Sequence, residues 1–372
     1  MPRGYGDYAR PVTGPDTPWD APWDATGFRT DVEKQLLAFV DEHAVWLDRL
    51  GEDARRLVAA ARTSVIGGKR FRAAFCYWGH RAVSTPDDES SLLRACGSLE
   101  LLHASALVHD DYMDASDVRR GRPATHREFG TLHQQSGWRG DAEQYGASAA
   151  ILLGDLLLSW SDEMLRTCGL PDDRVRAAQS FFDLTRSEVV TGQFLDVSAQ
   201  ARGASDVDIA MNVLRYKSAK YSVERPLHVG AALAGAAPET IQQLSRFGLP
   251  LGEAFQLRDD LLGVFGDPDA TGKPAGDDLT EGKRTVLTAL AIDALPEAEA
   301  GHLDASLGRP LDEAQVWVLR ELIDASGAHA QVEQVIVELT DRALTALDTA
   351  DIDDRARRVL RGLAEAATQR VV

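Results

Sequence analysis

The sequence lacks the residue patterns that carry several common chemistries. Among its 372 residues there are three cysteines, Cys76, Cys96 and Cys168, which lie far apart without zinc-ligand spacing. We therefore expect buried free thiols rather than a disulfide framework. No GxSxG, P-loop or GxGxxG motif occurs in its required context, so catalysis by a serine nucleophile and ATP hydrolysis have no support.

Long apolar runs and an excess of positive charge are also missing. No segment approaches the roughly 20 apolar residues that a membrane-spanning helix needs. The N-terminus has no apolar segment typical of a signal peptide. The net charge is −18, from 58 acidic and 40 basic residues, which argues against nucleic acid or an anionic membrane surface as a partner. We expect a soluble cytoplasmic protein.

Helical periodicity dominates the chain from about residue 30, and no alternating strand pattern is evident. Residues 1–29 are rich in Pro, Gly, Asp and Trp and have no period, which predicts a disordered or loosely docked arm. Residues 30–372 are predicted to form one all-α domain, a large helical bundle with a central cavity. Residues 146–168 are apolar almost all round, which predicts a central buried helix.

A predicted helix over residues 99–116 runs from apolar residues into three aspartates. Asp110 and Asp114 are four residues apart and project from one face, with Asp111 beside them. Like charges at the end of a buried helix repel each other, which favours a hard divalent cation. Mg²⁺ in such sites typically bridges one or two carboxylates to substrate phosphates. Three arginines that suit phosphate oxygens follow: Arg119, Arg120 and Arg122.

A second acidic pair lies far along the chain. Asp259 and Asp260 also end an apolar run, and Lys273 and Lys283 follow them. Two acidic helix ends, each followed by basic residues, predict two facing walls of one diphosphate–metal site. For either pair taken alone, a solvated helix end is an equal alternative.

Residues 66–72, IGGKRFR, place three cations at the start of a predicted helix. The two glycines allow a sharp turn, and cations such as Lys69 and Arg72 oppose the helix dipole there. An anion would compensate these charges, and the alternative is a glycine turn beside surface cations. His103 lies seven residues before Asp110, either as a core histidine or as a donor to a phosphate oxygen.

Two further polar pairs lie on predicted buried helices. Lys217 and Lys220 are three residues apart on a helix expected to end near Pro226, and lysine is rarely buried without a partner. Phosphate or an anionic leaving group would serve as that partner, whereas lysines that extend to solvent are the alternative. Gln193 and Asp196 either contact a substrate or form a satisfied core network.

In this order the motifs resemble those of the trans-isoprenyl diphosphate synthases, the polyprenyl synthetases. The resemblance covers about residues 31–370 and is carried by GGKR, HDDYMDASDVRRGRP, GQFLD, KSAKYSVERP, and FQLRDDLLGVFGD with TGKPAGDDLTEGK. It implies an all-α bundle around a deep apolar cavity, usually in a homodimer. It also implies the Mg²⁺-dependent condensation of isopentenyl diphosphate with allylic diphosphates, with three Mg²⁺ ions per active site.

The resemblance further implies roles for individual residues. Asp110 and Asp114 match metal ligands, and Asp111 matches a residue that supports them. Asp259 matches a ligand of the second motif, and Asp260 matches a residue that supports that ligand. The positions that match contacts to the allylic diphosphate are Arg119, Lys220, Gln256 and Lys273. Those that match contacts to isopentenyl diphosphate are Lys69, Arg72, His103 and Arg120. The residues to which the resemblance assigns the chemistry itself are Asp110, Asp114, Lys220, Asp259 and Lys273.

Two positions depart from the family pattern. Tyr221 stands where many relatives have threonine, so no binding role is carried to its side chain. Gly263 stands where the second motif often has its third aspartate, which predicts a weaker third metal site.

Product length is predicted from the residues before Asp110. In the family, bulky aromatic residues at the fourth or fifth place before the first aspartate stop growth at C15. Here these places hold Ser105 and Ala106, so the chain should pass this level, with Leu102 at the floor below. We predict geranylgeranyl diphosphate (C20), with C15 and C25 or longer products open.

Two other functions compete with this interpretation. A class I terpene cyclase shares the helical bundle and an aspartate-rich motif, but no NSE-type triad is found and GGKR would be unnecessary. An inactive subunit of a heteromeric synthase would usually lose aspartates of the first motif, which this chain retains.

Overall fold

Helices joined by short connections make up most of the described residues, 27–267 and 276–368 of the computed structural model. The first half contains α1 (Phe28–Leu47), α2 (Glu52–Val65), α3 (Phe71–Arg81), α4 (Glu89–Met113), α5 (Thr125–Gln135), α6 (Ala142–Arg166) and α7 (Asp172–Arg202). The second half contains α8 (Val207–Val213), α9 (Arg225–Ala234), α10 (Pro238–Phe265), α11 (Asp277–Glu281), α12 (Val286–Ala294), α13 (Glu297–Ser306), α14 (Glu313–Ala325), α15 (Ala328–Thr349) and α16 (Asp354–Thr368). The all-α prediction is confirmed, and no helix of these residues is long and apolar enough to cross a bilayer.

Among the described residues, a 3₁₀ turn (Asp48–Leu50), a β-hairpin and a π-helical segment interrupt the α-helical pattern. Residues 118–119 (β1) and 122–123 (β2) form a two-residue antiparallel hairpin, which the sequence did not predict. Its turn residues Arg120 and Gly121 have positive φ. Between α8 and α9 the backbone forms a π-helical segment, Leu214–Glu224. Such segments are rare and occur frequently at functional sites.

Close backbone contacts surround the π-helical segment. A Cβ atom on Gly192 of α7 would lie 2.3 Å from the backbone nitrogen of Lys217. A Cβ on Gly252 of α10 would lie 2.4 Å from the carbonyl oxygen of Ala219. Real Cβ atoms do not make contacts this short, so only glycine lets α7 and α10 pack directly against the segment.

The buried side chains form two hydrophobic clusters. In one cluster α4 packs along α6 and α3 packs along α9, with large side chains such as Phe39, Phe75 and Phe182 fully buried. A second cluster lies where α10 contacts α15 and the π-helical segment. The ends of α4 and α10, which carry the aspartate pairs, thus belong to the packed framework.

The predicted helix boundaries were wrong in several places. α4 begins at Glu89, where Asp88 caps the first turn by accepting from the N–H groups of Ser90 and Ser91. The helical backbone does not end at Pro226, because this proline lies in the first turn of α9, which continues directly from Glu224.

The predictions for two other helices also need correction. α6 is not buried all round, since Ile151 and Leu152 are 44% and 60% exposed. α5 was missed because its sequence is largely polar and only one face, including Phe129 and His133, is buried. The arm predicted over residues 1–29 lies outside the described residues except for 27–29, where Phe28 is buried and begins α1.

Candidate active site

The C-terminal end of α4 carries the first wall, which we define as Asp110, Asp111 and Asp114. Asp110 and Asp111 lie in the last turn, and Asp114 caps the helix with its N–H donating to the carbonyl of Asp110. Asp111 is buried and accepts a hydrogen bond of 2.7 Å from Nε of Arg119. Arg119, predicted to contact a diphosphate, therefore also braces the first wall.

Lysines from the second half of the chain reach the first wall. Nζ of Lys217 lies 3.2 Å from Oδ1 of Asp110 and donates to Asp196 at 2.5 Å. Nζ of Lys283 lies 3.8 Å from Oδ2 of Asp114. Each lysine therefore stands beside one of the two aspartates that share a helix face.

The electrostatics of the first wall differ from one carboxylate to the next. Burial opposes ionisation of Asp110, but Lys217, Lys283 and Arg119 hold its pKa below the usual value. Burial and the neighbouring charge of Asp110 raise the pKa of Asp114 to about 7. Oδ1 of Asp110 is buried, and the ammonium of Lys217 at 3.2 Å forms an ion pair with it without hydrogen-bond geometry. This oxygen therefore keeps a lone pair available to a further cation.

The second wall, which we define as Asp259 and Asp260 of α10 with Asp278 of α11, is assembled from two helices. Asp259 is exposed, whereas Asp260 is buried and accepts a hydrogen bond of 2.8 Å from Gln256. Burial, and next the charge of Asp278, raise the pKa of Asp260 to about 8. Gln256, expected to contact a diphosphate, is instead seen holding Asp260.

Asp278 occupies the place of the carboxylate that Gly263 lacks. A Cβ atom built on Gly263 would lie 1.9 Å from Oδ2 of Asp278, so no side chain fits at position 263 while Asp278 is there. Asp278 is itself buried. The wall therefore keeps three carboxylates, although the sequence motif has only two.

The two walls meet through α11 and the residues that follow it. Lys283 lies 3.1 Å from Asp278 and also contacts Asp114 of the first wall. Ser116, just after α4, donates to Glu281 at 2.7 Å. The structure thus brings together the two acidic helix ends that the sequence separates by about 150 residues.

A third group of charges surrounds the IGGKRFR segment. Arg70 is buried and has positive φ at the start of α3, and its guanidinium donates to Glu33 at 3.1 Å and Glu100 at 3.4 Å. Glu100 also accepts from the N–H of Ala73 in the first turn of α3. These contacts fix the loop and leave Lys69 exposed at its edge.

The predicted contacts to isopentenyl diphosphate cluster beside this loop. Arg120 donates to the carbonyl of Ile66, and its guanidinium covers Gly68. Arg72 donates to Ser222 at 2.8 Å, and its buried Nε has no hydrogen-bond partner among the described residues. Burial and the surrounding arginines, Arg72 first, hold the pKa of His103 well below its usual value, so the imidazole is neutral.

Of the predicted diphosphate set, one lysine has carboxylate partners away from the first wall and another is not among the described residues. Lys220 contacts Glu224 at 3.1 Å and Glu188 at 3.4 Å, and it is Lys217 that reaches Asp110. The i→i+5 bonds of a π-helix put more residues in each turn, so lysines three apart diverge more than in an α-helix. Lys273 lies outside the described residues.

The three predicted chain-length residues have different environments. Ser105 is buried, and its hydroxyl donates to the carbonyl of Gly154 on α6 at 2.8 Å. Leu102 is buried in the main core cluster. Ala106 is half-buried, whereas the other two are buried. It is therefore the one of the three whose side chain is accessible to a growing chain.

The donor set of the walls suits a hard cation. Carboxylate oxygens from Asp110, Asp114 and Asp259 are the ligands that Mg²⁺ prefers. Within residues 27–267 and 276–368, no three carboxylate, imidazole or thiolate side chains already converge at metal-binding distance. Lys217 and Lys283 instead neutralise part of the charge.

Two site residues escaped the sequence-based assignment. The sequence pairs Lys217 with Lys220, and only the π-helical geometry separates their positions. Asp278 lies in GDDLTEGK, whose sequence alone indicates no role for it. The missing carboxylate at Gly263 is the signal that another residue could supply one.

Comparisons with known proteins identify the family. The polyprenyl synthetase family model matches residues 54–323. A geranylgeranyl diphosphate synthase of Mycobacterium tuberculosis is 32% identical, covering 78% of each chain. A geranylfarnesyl diphosphate synthase of Natronomonas pharaonis is 31% identical over 85% of this chain and 90% of its own.

Solved structures show the same likeness. The crystal structure of a geranylgeranyl pyrophosphate synthase from Corynebacterium glutamicum, complexed with isoprenyl diphosphate and magnesium, superposes with a TM-score of 0.90. It is 40% identical and covers 92% of this chain and 99% of its own. The extent of these matches and the order of the motifs lead to one conclusion: this chain belongs to the polyprenyl synthetase family, the trans-isoprenyl diphosphate synthases.

Proposed function

We propose that this prenyltransferase catalyses the Mg²⁺-dependent head-to-tail (1′–4) condensation of isopentenyl diphosphate with allylic diphosphates. The observation that carries the proposal is the pairing of two anion sites. The facing aspartate walls with Lys217 and Lys283 form one, and the cations around IGGKRFR form the other. Two substrates that each carry a diphosphate require two such sites.

The walls are proposed to hold the allylic diphosphate through Mg²⁺, with Asp110, Asp114 and Asp259 as ligands. Bound metal would neutralise the charge that develops on the diphosphate leaving group. Lys217 adds a fixed positive charge at the same place, since burial opposes its ionisation but Asp110 and Asp196 keep its pKa above the usual value. Asp278 is proposed to supply a further carboxylate to the second wall, next to Asp260.

The second diphosphate is proposed to bind at Lys69, Arg72, His103 and Arg120. These residues come from the loop before α3, from α3 and α4, and from the β-hairpin turn, and they are proposed to hold the isopentenyl double bond near the allylic carbon. An apolar, dry cavity would protect the allylic cation from water. The proton released at the end passes to the departing diphosphate, so no protein nucleophile is required.

The proposed product is geranylgeranyl diphosphate. Ala106 is small and half-buried one turn before Asp110, which leaves a path for a chain longer than C15. The relatives include synthases named for farnesyl, geranylgeranyl, geranylfarnesyl and nonaprenyl diphosphates, so membership of the family does not itself choose among lengths.

A homodimer is proposed as the working form. Large apolar side chains are exposed along two adjacent helices: Ile151 and Leu152 on α6, and Leu184, Val190 and Phe194 on α7. Burial of such a face against a second copy would remove it from water.

Product analysis is the experiment that tests the reaction. The purified protein would be incubated with Mg²⁺, isopentenyl diphosphate and, separately, C5, C10 and C15 allylic diphosphates, and the dephosphorylated products would be sized. A dominant C20 alcohol is expected. A cyclic hydrocarbon without condensation would assign the chain to the cyclases instead.

The variant Ala106→Phe tests the length assignment. A phenyl ring at this half-buried place should block the path, so the main product is expected to shorten from C20 to C15. Ser105→Ala is the matched control, because it removes only the hydroxyl that donates to Gly154 and should leave product length unchanged. A C20 product from Ala106→Phe would place the floor elsewhere.

A further inference from the structure

Tyr221 lies in the π-helical segment and links two residues of the proposed isopentenyl diphosphate site. Its hydroxyl is 2.6 Å from Nδ1 of His103 on α4. Its ring lies under the guanidinium of Arg72, 4.1 Å from Cζ to the ring centroid. Tyr221 is buried, with 4% of its surface exposed. The hydrogen bond between the two rings therefore forms away from bulk water.

The direction of this hydrogen bond follows from the available acceptors. A buried hydroxyl hydrogen needs an acceptor. In the described part of the chain, Nδ1 of His103 is the acceptor that the structure offers to Tyr221. If Nδ1–H donated to the tyrosine oxygen instead, the hydroxyl hydrogen would have no such partner there. The tyrosine therefore donates, and Nδ1 carries the lone pair.

The protonation states of both groups agree with this direction. Burial raises the pKa of Tyr221, which keeps its hydroxyl protonated. Burial, followed by the charges of Arg72, Arg120 and Arg119, lowers the pKa of His103, which keeps the imidazole neutral. A neutral imidazole has one N–H, and it must lie on the nitrogen that does not accept.

From these contacts we infer that Tyr221 fixes His103 as the Nε2–H tautomer and thereby makes it a hydrogen-bond donor to the diphosphate of the isopentenyl substrate. Nε2 has no hydrogen-bond partner among the residues that the structure describes, and the ring is half-buried. Beside it, Arg72 and Arg120 also present N–H groups. The site then offers donors only, which matches the acceptor oxygens of a diphosphate.

This role makes Tyr221 a positioning residue, and it rests on the proposed function for its consequence in catalysis. Without the hydroxyl, neutral His103 would distribute between two tautomers. In one of them the Nε2 lone pair would face the phosphate oxygens and repel them. The loss should therefore appear in binding of the isopentenyl substrate rather than of the allylic one.

Tyr221→Phe is the central variant, because it removes the hydroxyl but keeps the ring beneath Arg72. We expect KM for isopentenyl diphosphate to rise about tenfold, since a hydrogen bond to a charged group is lost from part of the population. The KM for the allylic substrate and kcat should change less than about twofold. Tyr216→Phe is the control, as this tyrosine lies in the same segment with its ring near Lys220.

A double-mutant cycle separates the tautomer from general packing. The amide of His103→Gln can donate without a tautomer to be fixed. In that background Tyr221→Phe should add less than about a twofold change in KM. An equal tenfold change in both backgrounds would show that Tyr221 acts through packing and would overturn the inference.

Nitrogen-15 NMR of histidine-labelled protein gives a readout independent of activity. The His103 signal, assigned by its loss in His103→Gln, should show the Nε2–H pattern in the wild type and a mixture in Tyr221→Phe. An Nδ1–H pattern in the wild type would overturn the inference. If the wild-type protein shows the Nε2–H pattern but condenses no substrates, the proposed function fails while the tautomer assignment stands.

Discussion

The two aspartate walls are built from the same residue type but differ in their construction. The first wall is contiguous in sequence and ends one helix, and cations hold the pKa of Asp110 below its usual value. The second wall combines α10 with α11, and burial raises the pKa of Asp260 to about 8. A motif that is continuous in sequence can be recognised directly, whereas a wall assembled from two helices depends on the fold that joins them.

The largest expected effect is a fall in kcat when the lysine beside the first wall is changed. Lys217→Gln removes the charge 3.2 Å from Asp110, and we expect kcat to fall about 100-fold because leaving-group stabilisation is lost. The measurement is steady-state condensation with saturating substrates.

Lys220→Gln is the matched control three residues away. Its contacts are Glu188 and Glu224, so kcat should stay within about threefold while the melting temperature falls, because buried carboxylates lose a partner. If Lys220→Gln lowers kcat more than Lys217→Gln does, Lys220 contacts the diphosphate, as the resemblance implies.

A pair of changes at the second wall tests whether Asp278 replaces the missing carboxylate. Gly263→Asp alone should lower both kcat and the melting temperature, because its Cβ would overlap Oδ2 of Asp278. We expect the free energy of unfolding to fall by about 1–3 kcal/mol, the typical cost of overpacking, and kcat to fall because the carboxylate of Asp278 is displaced. Gly263→Asp with Asp278→Ala should recover most of this loss, since one carboxylate again occupies the space.

The single variant Asp278→Ala completes this test. It should raise the Mg²⁺ concentration needed for half-maximal activity, whereas the neighbouring Asp277→Ala should change it little. If the double variant is no better than Gly263→Asp alone, the two positions do not share one function.

The smallest expected effect is on stability and concerns His228, a buried histidine outside the aspartate walls. Burial lowers the pKa of His228 to about 3, and the neutral ring accepts from Arg225 and bonds to Ser245. Because the folded pKa lies below the unfolded value of 6.5, this contribution to stability is present above pH 6.5 and is lost as the pH falls below it.

Urea unfolding at several pH values measures this contribution. The free energy of unfolding should decrease between pH 7 and pH 5, and less steeply in His228→Gln. If the free energy of unfolding of His228→Gln falls with pH as steeply as that of the wild type, the dependence belongs to other groups. One such group is His80, because burial lowers its pKa to about 4.

The sequence predicted the features that local pattern determines. Helical periodicity indicated an all-α fold, and the spacing of Asp110 and Asp114 placed them on one face. The glycine pair of IGGKRFR indicated a turn before a helix, and α3 begins at Phe71. These predictions succeeded because each depends on residues within a few turns of one another.

Other features depend on contacts between distant segments. The position of Lys217 beside Asp110 follows from a π-helical segment whose hydrogen bonding no residue spacing revealed. The resemblance assigns no binding role to Tyr221, and its partner His103 lies 118 positions away in the sequence, where no local pattern reveals the contact. Asp278 takes the place of a side chain at position 263 only after α11 folds against α10.

The π-helical segment also has a consequence for changes in chain length. A single residue removed from Leu214–Glu224 would convert part of the segment to α-helical geometry and rotate the residues on one side of the deletion by about 100°. Lys217 and Tyr221 could then no longer both face their partners on α4. The length of this segment thus sets the angular register between two proposed substrate sites, and Gly192 and Gly252 let α7 and α10 pack against it.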